Sequence, residues 1–485
     1  MSLVFVPIYI KFIGIEAYGL IGIFLSLQAL FSLLDLGLST TLNRELARMS
    51  SHIENPRTMR DLVRTLELVY WALAISIGIA VALLAPVVAY YWVNAEQLTP
   101  ETIYHAILLM GLVIAFQLPF SLYSGGLLGL QRQVLLNGII VIMATLRGVG
   151  AVLVLWLIDP SIQAFFLWQI IVSVLQTTVT MYFLWSNLPE SARGAQFKSR
   201  LLIDIWRFAA GMTGVSVLSV ILMQMDKIIL SRILSLEMFG YYTLASVAAG
   251  GLYIMFGPMF FALFPRFSQM VAQNDVEGQK RLYHNGSQLM SVMILPVAVV
   301  VALFSKEVLF LWTGDPVIVE RAHLILSFLI IGTALGGLMN LPFAMQLAHG
   351  WTKLAFYQNL IALVVLIPML IWLAKNYGAE GAASIWILLN AGYVLGGIQY
   401  MHTRLLREEK ARWYFHDVLK PLSITLLIAL PAYWYFPQNM SVLLTLVGII
   451  LITAMTFLVT ALQTPYTRAV IMQVLKARRT AVVDP

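Results

Sequence analysis

The sequence predicts an all-α integral membrane protein. About fourteen transmembrane helices, the first of them shortened, are expected to form two six-helix repeats that make two lobes, followed by two C-terminal helices. Three observations predict this. Of the 485 residues, 60% are hydrophobic and 11% are charged, where soluble domains carry about 45–50% and 25%. Long apolar stretches recur with only short connections between them. Several short motifs return in the same order at a nearly constant distance.

The first observation decides the solvent. A mean hydropathy of +0.86 is more apolar surface than a soluble fold of this length can hide. Crossing a bilayer takes about 20 mostly apolar residues in helical conformation. Thirteen stretches qualify, near 18–40, 66–93, 103–128, 134–158, 161–185, 206–231, 239–263, 288–312, 322–347, 354–374, 380–402, 418–436 and 441–463. Residues 1–13 read as part of one more. Met1–Ile10 is apolar, but no positive segment precedes it and no small-residue cleavage site follows, so it does not read as a secretory signal.

The formal net charge is +7, and its placement matters more than its sum. With the tail after 463 in the cytoplasm, the alternate loops on that side hold 22 of the Lys and Arg residues and the opposite loops hold 5. This is the bias expected of a multi-pass protein with a cytoplasmic C-terminus. No nucleic-acid partner is expected. Thr41–Thr65, with five Arg and three acids, reads as a solvated cytoplasmic connection or one lying on the membrane surface.

The repeat is read from three matches. Gly14-Ile-Glu-Ala-Tyr-Gly19 corresponds to Ser235-Leu-Glu-Met-Phe-Gly240, Val81-Ala-Leu-Leu84 to Val301-Ala-Leu-Phe304, and Leu118-Pro-Phe120 to Leu341-Pro-Phe343, at offsets of 220–223. Six helices per copy is an even number, so both copies share one topology and can enclose a cleft. The expected organisation is an N-terminal lobe at 1–190, a cytoplasmic linker at 191–204, a second lobe at 205–403, two additional helices within 404–463 and a cytoplasmic tail at 464–485. Helix 206–231 maps onto about −15 to 10, so the first helix reads as lacking its N-terminal half. Either the start is internal to a longer natural protein or the first span is a stub.

Tyr9-Ile-Lys-Phe-Ile-Gly-Ile-Glu-Ala-Tyr-Gly-Leu20 and Leu34-Asp-Leu-Gly-Leu-Ser-Thr-Thr-Leu-Asn-Arg-Glu-Leu-Ala-Arg48 resemble the opening of Wzx-type polysaccharide and O-antigen flippases. These form the polysaccharide transporter branch of the multidrug/oligosaccharidyl-lipid/polysaccharide exporter superfamily. The resemblance covers essentially the whole chain. It implies a fourteen-helix fold in a bacterial inner membrane. It also implies alternating-access transfer of an undecaprenyl-diphosphate-linked oligosaccharide, an O-antigen or other surface polysaccharide unit, from the cytoplasmic to the periplasmic leaflet. Lipid-linked oligosaccharide, membrane lipids, a polysaccharide polymerase and a chain-length regulator are the partners it implies. The shortened first helix departs from the family layout.

Ionisable residues inside spans are costly and mark candidate sites. Arg147 lies near the middle of its span, where an Arg costs about 2.5–3.5 kcal/mol on insertion scales. Its neighbours Ala144, Gly148, Gly150 and Ala151 leave room for a guanidinium, and its repeat equivalent is near Met369. It is a candidate site for a lipid diphosphate, against the alternative of a buried pair with a carboxylate or carbonyls. Thr213, Ser216, Gln224 and Lys227 fall in one helical arc, flanked by Asp226, and could line a wet lumen. Helix–helix hydrogen bonding or snorkelling would use the same residues. Gln28, Ser32, Asp35 and Ser39 share another face, with Asp35 a candidate for ion coupling or an interfacial residue.

The sequence has no cysteine, hence no disulfide, thiolate metal site or thiol nucleophile. Its seven histidines show no metal-ligand spacing. No Walker loop, dinucleotide turn or nucleophile elbow is present, so ATP is not the direct driver and no cofactor is expected. The family resemblance implies coupling to an ion gradient, of protons or sodium. A multidrug or small-solute exporter is the nearest alternative. A membrane-embedded glycan polymerase, ligase or glycosyltransferase needs larger periplasmic loops than Asn94–Glu101 or Asp159–Pro160 provide.

Overall fold

The protein is all-helical in the described residues. The computed structural model describes residues 3–50, 56–191, 193–437 and 440–473, with the side chains of 202–216 outside that description. The chain divides into two compact units, Met1–Thr243 and Leu244–Pro485. The first holds α1 (Val6–Phe31), α2 (Leu38–Ser50), α3 (Pro56–Val87), α4 (Pro100–Gly129), α5 (Gln133–Leu157), α6 (Ile162–Asn187), α7 (Ser199–Ile233) and the start of α8 (Leu236–Gly250). The second holds α9 (Tyr253–Ala272), α10 (Val276–Leu303), α11 (Ser305–Thr313), α12 (Pro316–Leu338), α13 (Asn340–Ala348), α14 (Thr352–Gly392), α15 (Ile398–Arg404), α16 (Lys410–Arg412), α17 (Lys420–Trp434) and α18 (Val442–Gln463).

Helix starts follow local chemistry. Thr99, Ser161, Asp275, Asp315 and Ser441 each accept a hydrogen bond from a first-turn backbone N–H. Pro100 and Pro316 occupy first helical positions, where no donor is needed.

Among the described residues, eleven helical segments are long and apolar enough to cross a membrane. Two differences account for the thirteen expected. The stretch near 206–231 lies in α7, which is not fully described. The stretches near 354–374 and 380–402 run together as Thr352–Arg404, broken at Gly378 (φ 61°, ψ −144°). A continuous helix would separate Leu373 from Gly381 by about 12 Å. A Cβ on Gly381 would instead lie 2.5 Å from the Leu373 carbonyl oxygen, so the chain folds back there. The surface confirms lipid as solvent. α18 has a hydropathy of 2.7, yet only 11% of its most apolar window is buried, an arrangement that water would not tolerate.

Five boundaries are corrected. Residues from Val6, read as part of one more span, run into the stretch near 18–40 as one segment, Val6–Asp35, and the stretch near 239–263 is divided between α8 and α9, with the apolar span at Tyr253–Ala272. Thr41–Thr65 is not a solvated connection: Thr41–Ser50 continues α2, and residues from Pro56 belong to α3. Leu42, Leu46, Asp61, Leu62 and Thr65 are fully or nearly fully buried. The cause is the small-residue face of α4. Hypothetical Cβ atoms on Gly125 and Gly129 would lie 2.5 and 2.6 Å from the carbonyl oxygens of Ser39 and Asn43, so α2 rests directly on α4. The span near 288–312 breaks at Phe304 and that near 322–347 at Met339.

The repeat motifs meet. A Cβ on Gly19 would lie 2.6 Å from the Leu236 carbonyl oxygen, and one on Gly240 would collide with the Ile15 carbonyl oxygen. Gly19 and Gly240, like Ile15 and Leu236, are 221 positions apart. The contact between α1 and α8 is therefore reciprocal, as at a two-fold interface. Gly22 abuts Thr243, 221 positions further on. The motif's glutamate is structural: buried Glu16 accepts hydrogen bonds from the backbone N–H groups of Glu96 (2.6 Å) and Gln97 (2.9 Å). Gly19→Ala and Gly240→Ala are each expected to destabilise the purified protein by about 1–3 kcal/mol, the cost of overpacking a closed contact. Gly78→Ala, whose Cβ meets nothing within 4 Å, should leave the melting temperature unchanged.

A second correspondence ties down the segment after each repeat. On α3, Asp61 accepts from the Gln196 backbone N–H at 2.8 Å and pairs with Lys198 Nζ at 2.5 Å. One turn on, Thr65 Oγ1 accepts from the Lys198 backbone N–H at 3.0 Å. On α10, His284 Nδ1 and Gln288 Nε2, also one turn apart, bond the two oxygens of Asp417. His284 Nε2 meets Glu409 at 3.0 Å, and Gln288 Oε1 accepts from the Tyr466 backbone N–H at 3.1 Å. Asp417 lies 221 positions after Gln196. Acid on the helix and base on the segment in the first unit become base and acid in the second. At its other end α10 holds the C-terminal pair through Phe304, which packs against Tyr433, Phe436, Ala429 and Ile449.

Candidate functional site

A cavity of about 450 Å³ lies within the first unit, lined by residues of α1, α4, α5 and α6. Its wall from α1 depends on a break. Ser32–Asp35 forms a 3₁₀ turn, and Leu36 and Gly37 adopt positive φ of 48° and 75°. A non-glycine residue in that region is strained, and such strain concentrates at functional sites. The break leaves Gln28, Ser32 and Asp35 on the cavity.

Arg147 projects from α5 and is half-buried. Its guanidinium donates to Gln176 Oε1 at 2.9 Å, Ser173 Oγ at 3.4 Å and Gln169 Oε1 at 3.5 Å. Among the described residues no carboxylate pairs with it within 4.0 Å, and its acceptors there are amide and hydroxyl oxygens. The acceptors are neutral and leave its charge unneutralised. Ala144 and Gly148 border the cavity beside it, whereas Gly150 faces Trp168 and Ala151 is buried. Gln169 is 1% exposed, and its Nε2 has no partner. A buried unsatisfied donor costs about 1–3 kcal/mol, and this one stands next to the guanidinium.

The polar wall continues. Gln117 Nε2 donates to Ser173 Oγ at 3.4 Å, and Gln28 Nε2 donates to Gln117 Oε1. At the far end Asp35 accepts from three hydroxyls: Tyr70 at 2.5 Å, Ser121 at 2.8 Å and Ser39 at 2.8 Å. One compartment thus contains a cation with no carboxylate partner among the described residues, a ladder of amides and a carboxylate.

Arg147 and Asp35 are therefore brought together. Gln224 and Lys227 are half-buried on α7 and are not among the cavity's described lining residues. Asp226 is 2% exposed and accepts the Tyr242 hydroxyl at 2.6 Å. Thr213 and Ser216 lie outside the described residues. Sequence reading passed over Gln117, Gln169, Ser173 and Gln176. Three of these had a signal: Gln169, Ser173 and Gln176 stand at i, i+4 and i+7, one polar face of an otherwise apolar helix. No group of three or more metal-ligating side chains occurs among the described residues.

Comparison with known proteins places this cavity in a transporter fold. The family described as polysaccharide biosynthesis protein matches residues 1–271, and the MatE family matches residues 212–372. A Shigella flexneri protein named "Putative O-antigen transporter" is 23% identical over 397 residues, covering 81% of this chain and 91% of that protein. A multidrug resistance MATE family transporter of the MOP superfamily, solved in an inward-facing conformation, superposes with a TM-score of 0.69 at 14% identity, over 84% of this chain and 94% of that one. The lipid II flippase MurJ, in an inward closed conformation, superposes with a TM-score of 0.67 at 13% identity, over 94% and 98%. The two structural likenesses establish the fold. With the family match spanning more than half of the sequence, the chain is a multi-pass membrane protein that belongs to the polysaccharide biosynthesis protein family.

Proposed function

We propose that the protein flips an undecaprenyl-diphosphate-linked oligosaccharide from the cytoplasmic to the periplasmic leaflet of a bacterial inner membrane by alternating access, with its C-terminus in the cytoplasm. The observation that carries this reading is Arg147. A guanidinium with no counter-charge among the described residues, beside an orphaned amide donor in a membrane-embedded cavity, is arranged for an anion that arrives from outside the protein. A guanidinium fork suits the oxygens of a diphosphate. The relative named as an O-antigen transporter and the likeness to a lipid II flippase support the same substrate class. Asp35, in the same cavity, is the acid through which a proton or sodium gradient is coupled. A polymerase and chain-length regulator act downstream.

A flipping assay tests this. The protein is reconstituted in liposomes containing polyprenyl-diphosphate oligosaccharide, and access of an external glycan-modifying enzyme to the inner-leaflet pool is followed. Transfer that is fast with the protein and collapses without an ion gradient is expected. A rate equal to that of empty liposomes overturns the reading. The MatE match favours a second reading, ion-coupled export of drugs or small solutes, which predicts drug efflux and no glycan transfer. Orientation is checked separately. Phosphatase fusions should be active after Glu96 and inactive after Lys198 and Lys410, and activity after Lys198 would reverse the flipping direction.

A further inference from the structure

We propose that the wall formed by Gln28, Ser32 and Gln117 is a carbohydrate subsite for the sugar joined directly to the diphosphate, and that it accepts a neutral sugar and rejects an acidic one. This rests on the diphosphate reading of Arg147. A lipid-linked diphosphate has an apolar chain on one side and a sugar on the other. The cavity extends from Arg147 toward amides and hydroxyls, linked through Ser173, Gln117 and Gln28. An isoprenoid would leave those groups unpaired at a cost. A sugar would pair them, because its hydroxyls both donate and accept, as carboxamides and hydroxyls do.

Capacity remains in the ladder. Gln28 lines the cavity and uses its amide nitrogen on Gln117, so its carbonyl oxygen is a further acceptor. Gln117 uses one of its two N–H groups on Ser173. Phe31 and Phe120 border the same space and offer apolar faces of the kind on which a pyranose ring can lie. About 450 Å³ matches one ligand of ordinary small-molecule size. The subsite therefore reads the diphosphate and its nearest sugar, not a whole oligosaccharide.

The charge at the far end sets the selectivity. Asp35 takes three hydroxyl donors, the pattern of a carboxylate acceptor, and no cation among the described residues pairs with it within 4.0 Å. A uronic acid placed on the ladder would set a second carboxylate against it, and like charges are repelled strongly where little water screens them.

Binding to the purified full-length chain in nanodiscs tests the inference. The probes are polyprenyl diphosphate and its N-acetylglucosamine and glucuronic acid conjugates. The unsubstituted protein should bind the N-acetylglucosamine conjugate about tenfold more tightly than either other probe, one charge-assisted or two ordinary hydrogen bonds' worth. Gln28→Leu should collapse that preference. Asp35→Asn should narrow the gap between the neutral and acidic conjugates. Equal affinity for sugar-free and N-acetylglucosamine lipids overturns the subsite, and this comparison needs no variant to fold. The sugar-free lipid reports on the parent reading separately. If Arg147→Met binds it as well as the unsubstituted protein does, the diphosphate reading fails. If Arg147→Met loses it while Gln28→Leu keeps the sugar preference, only the subsite fails.

Discussion

Arg147→Met is expected to abolish glycan export while the protein remains folded in the membrane. Export by the variant should fall at least about tenfold to a hundredfold, because a charge-assisted contact is worth about 1.5–3 kcal/mol. The reasoning is electrostatic. A diphosphate leaving water for a membrane-embedded cavity forfeits hydration worth several kcal/mol per ion, and a fixed guanidinium offsets part of that loss. Among the described residues Arg147 donates to Gln176, Ser173 and Gln169, so its removal strands no carboxylate there. Met also relieves the cost of holding a cation within the bilayer. Stability should therefore be unchanged or slightly raised, which separates a binding role from a structural one. Arg147→Lys should retain part of the activity, since charge survives although the bidentate fork is lost. Export and detergent-stable protein are measured together in a deletion strain. Full export by normally expressed Arg147→Met sinks the assignment. Loss of the folded protein points instead to a structural role.

The largest effect on stability is expected from Asp417→Ala. Asp417 is fully buried and holds both His284 and Gln288 of α10. Removing it leaves a buried imidazole facing only Glu409 and a buried amide donor without an acceptor. Breaking a buried pair from one side costs about 3–5 kcal/mol, a large share of the stability of most folds. The π-helical turn Trp413–Leu419 leads directly into α17, so the C-terminal pair should loosen first at this end. Phe304 continues to hold the other end through Tyr433 and Phe436. Trypsin cleavage among Arg404, Arg407, Lys410 and Arg412 should accelerate, and the melting temperature should drop. Asp417→Asn keeps an acceptor for Gln288 and should cost less. Unaltered cleavage and melting in Asp417→Ala would show that the C-terminal pair does not depend on this contact. Lys198→Ala in the first unit should be milder, because the Gln196 and Lys198 backbone donors still reach α3 and the lysine side chain is partly exposed.

Sequence and structure agree where chemistry is carried by composition or short-range pattern. Apolar length located nearly every span, because lipid requires every backbone group to be bonded within the segment and leaves few options besides a helix. The repeat was legible from Gly14–Gly19 and Ser235–Gly240, and the reason for its glycines became visible only when the two motifs were seen in contact. Arg147 and Asp35 stood out because charge inside a span is rare. Gln28 shared a polar face with Asp35, and Gln169, Ser173 and Gln176 recur at helical spacing. Gln117 is an ordinary neutral residue until α4 and α1 bring it beside Gln28. His284 illustrates the same limit. Nothing within 100 positions of it signals Asp417 or Glu409, yet all three meet at one end of α10. The connection at 41–65 was misread for a related reason. Its charges look solvated in one dimension, but Asp61 is taken up by the backbone of Gln196 and by Lys198, more than 130 residues away.

The sequence by itself determined that the chain spans a membrane many times, that it is built of helices, that it is internally repeated, and that a cation and an acid lie inside its first half. Each of these follows from apolar length, from the cost of charge in lipid, or from self-similarity, and none needs a partner in space. Only the tertiary structure decided that the cation meets no counter-ion among the described residues, that amides line the same cavity as the cation and the acid, and that a histidine and an aspartate clamp the C-terminal helices. Those are facts of packing. They depend on which helices lie side by side, and a hydrogen bond between residues more than a hundred positions apart leaves no mark along the chain.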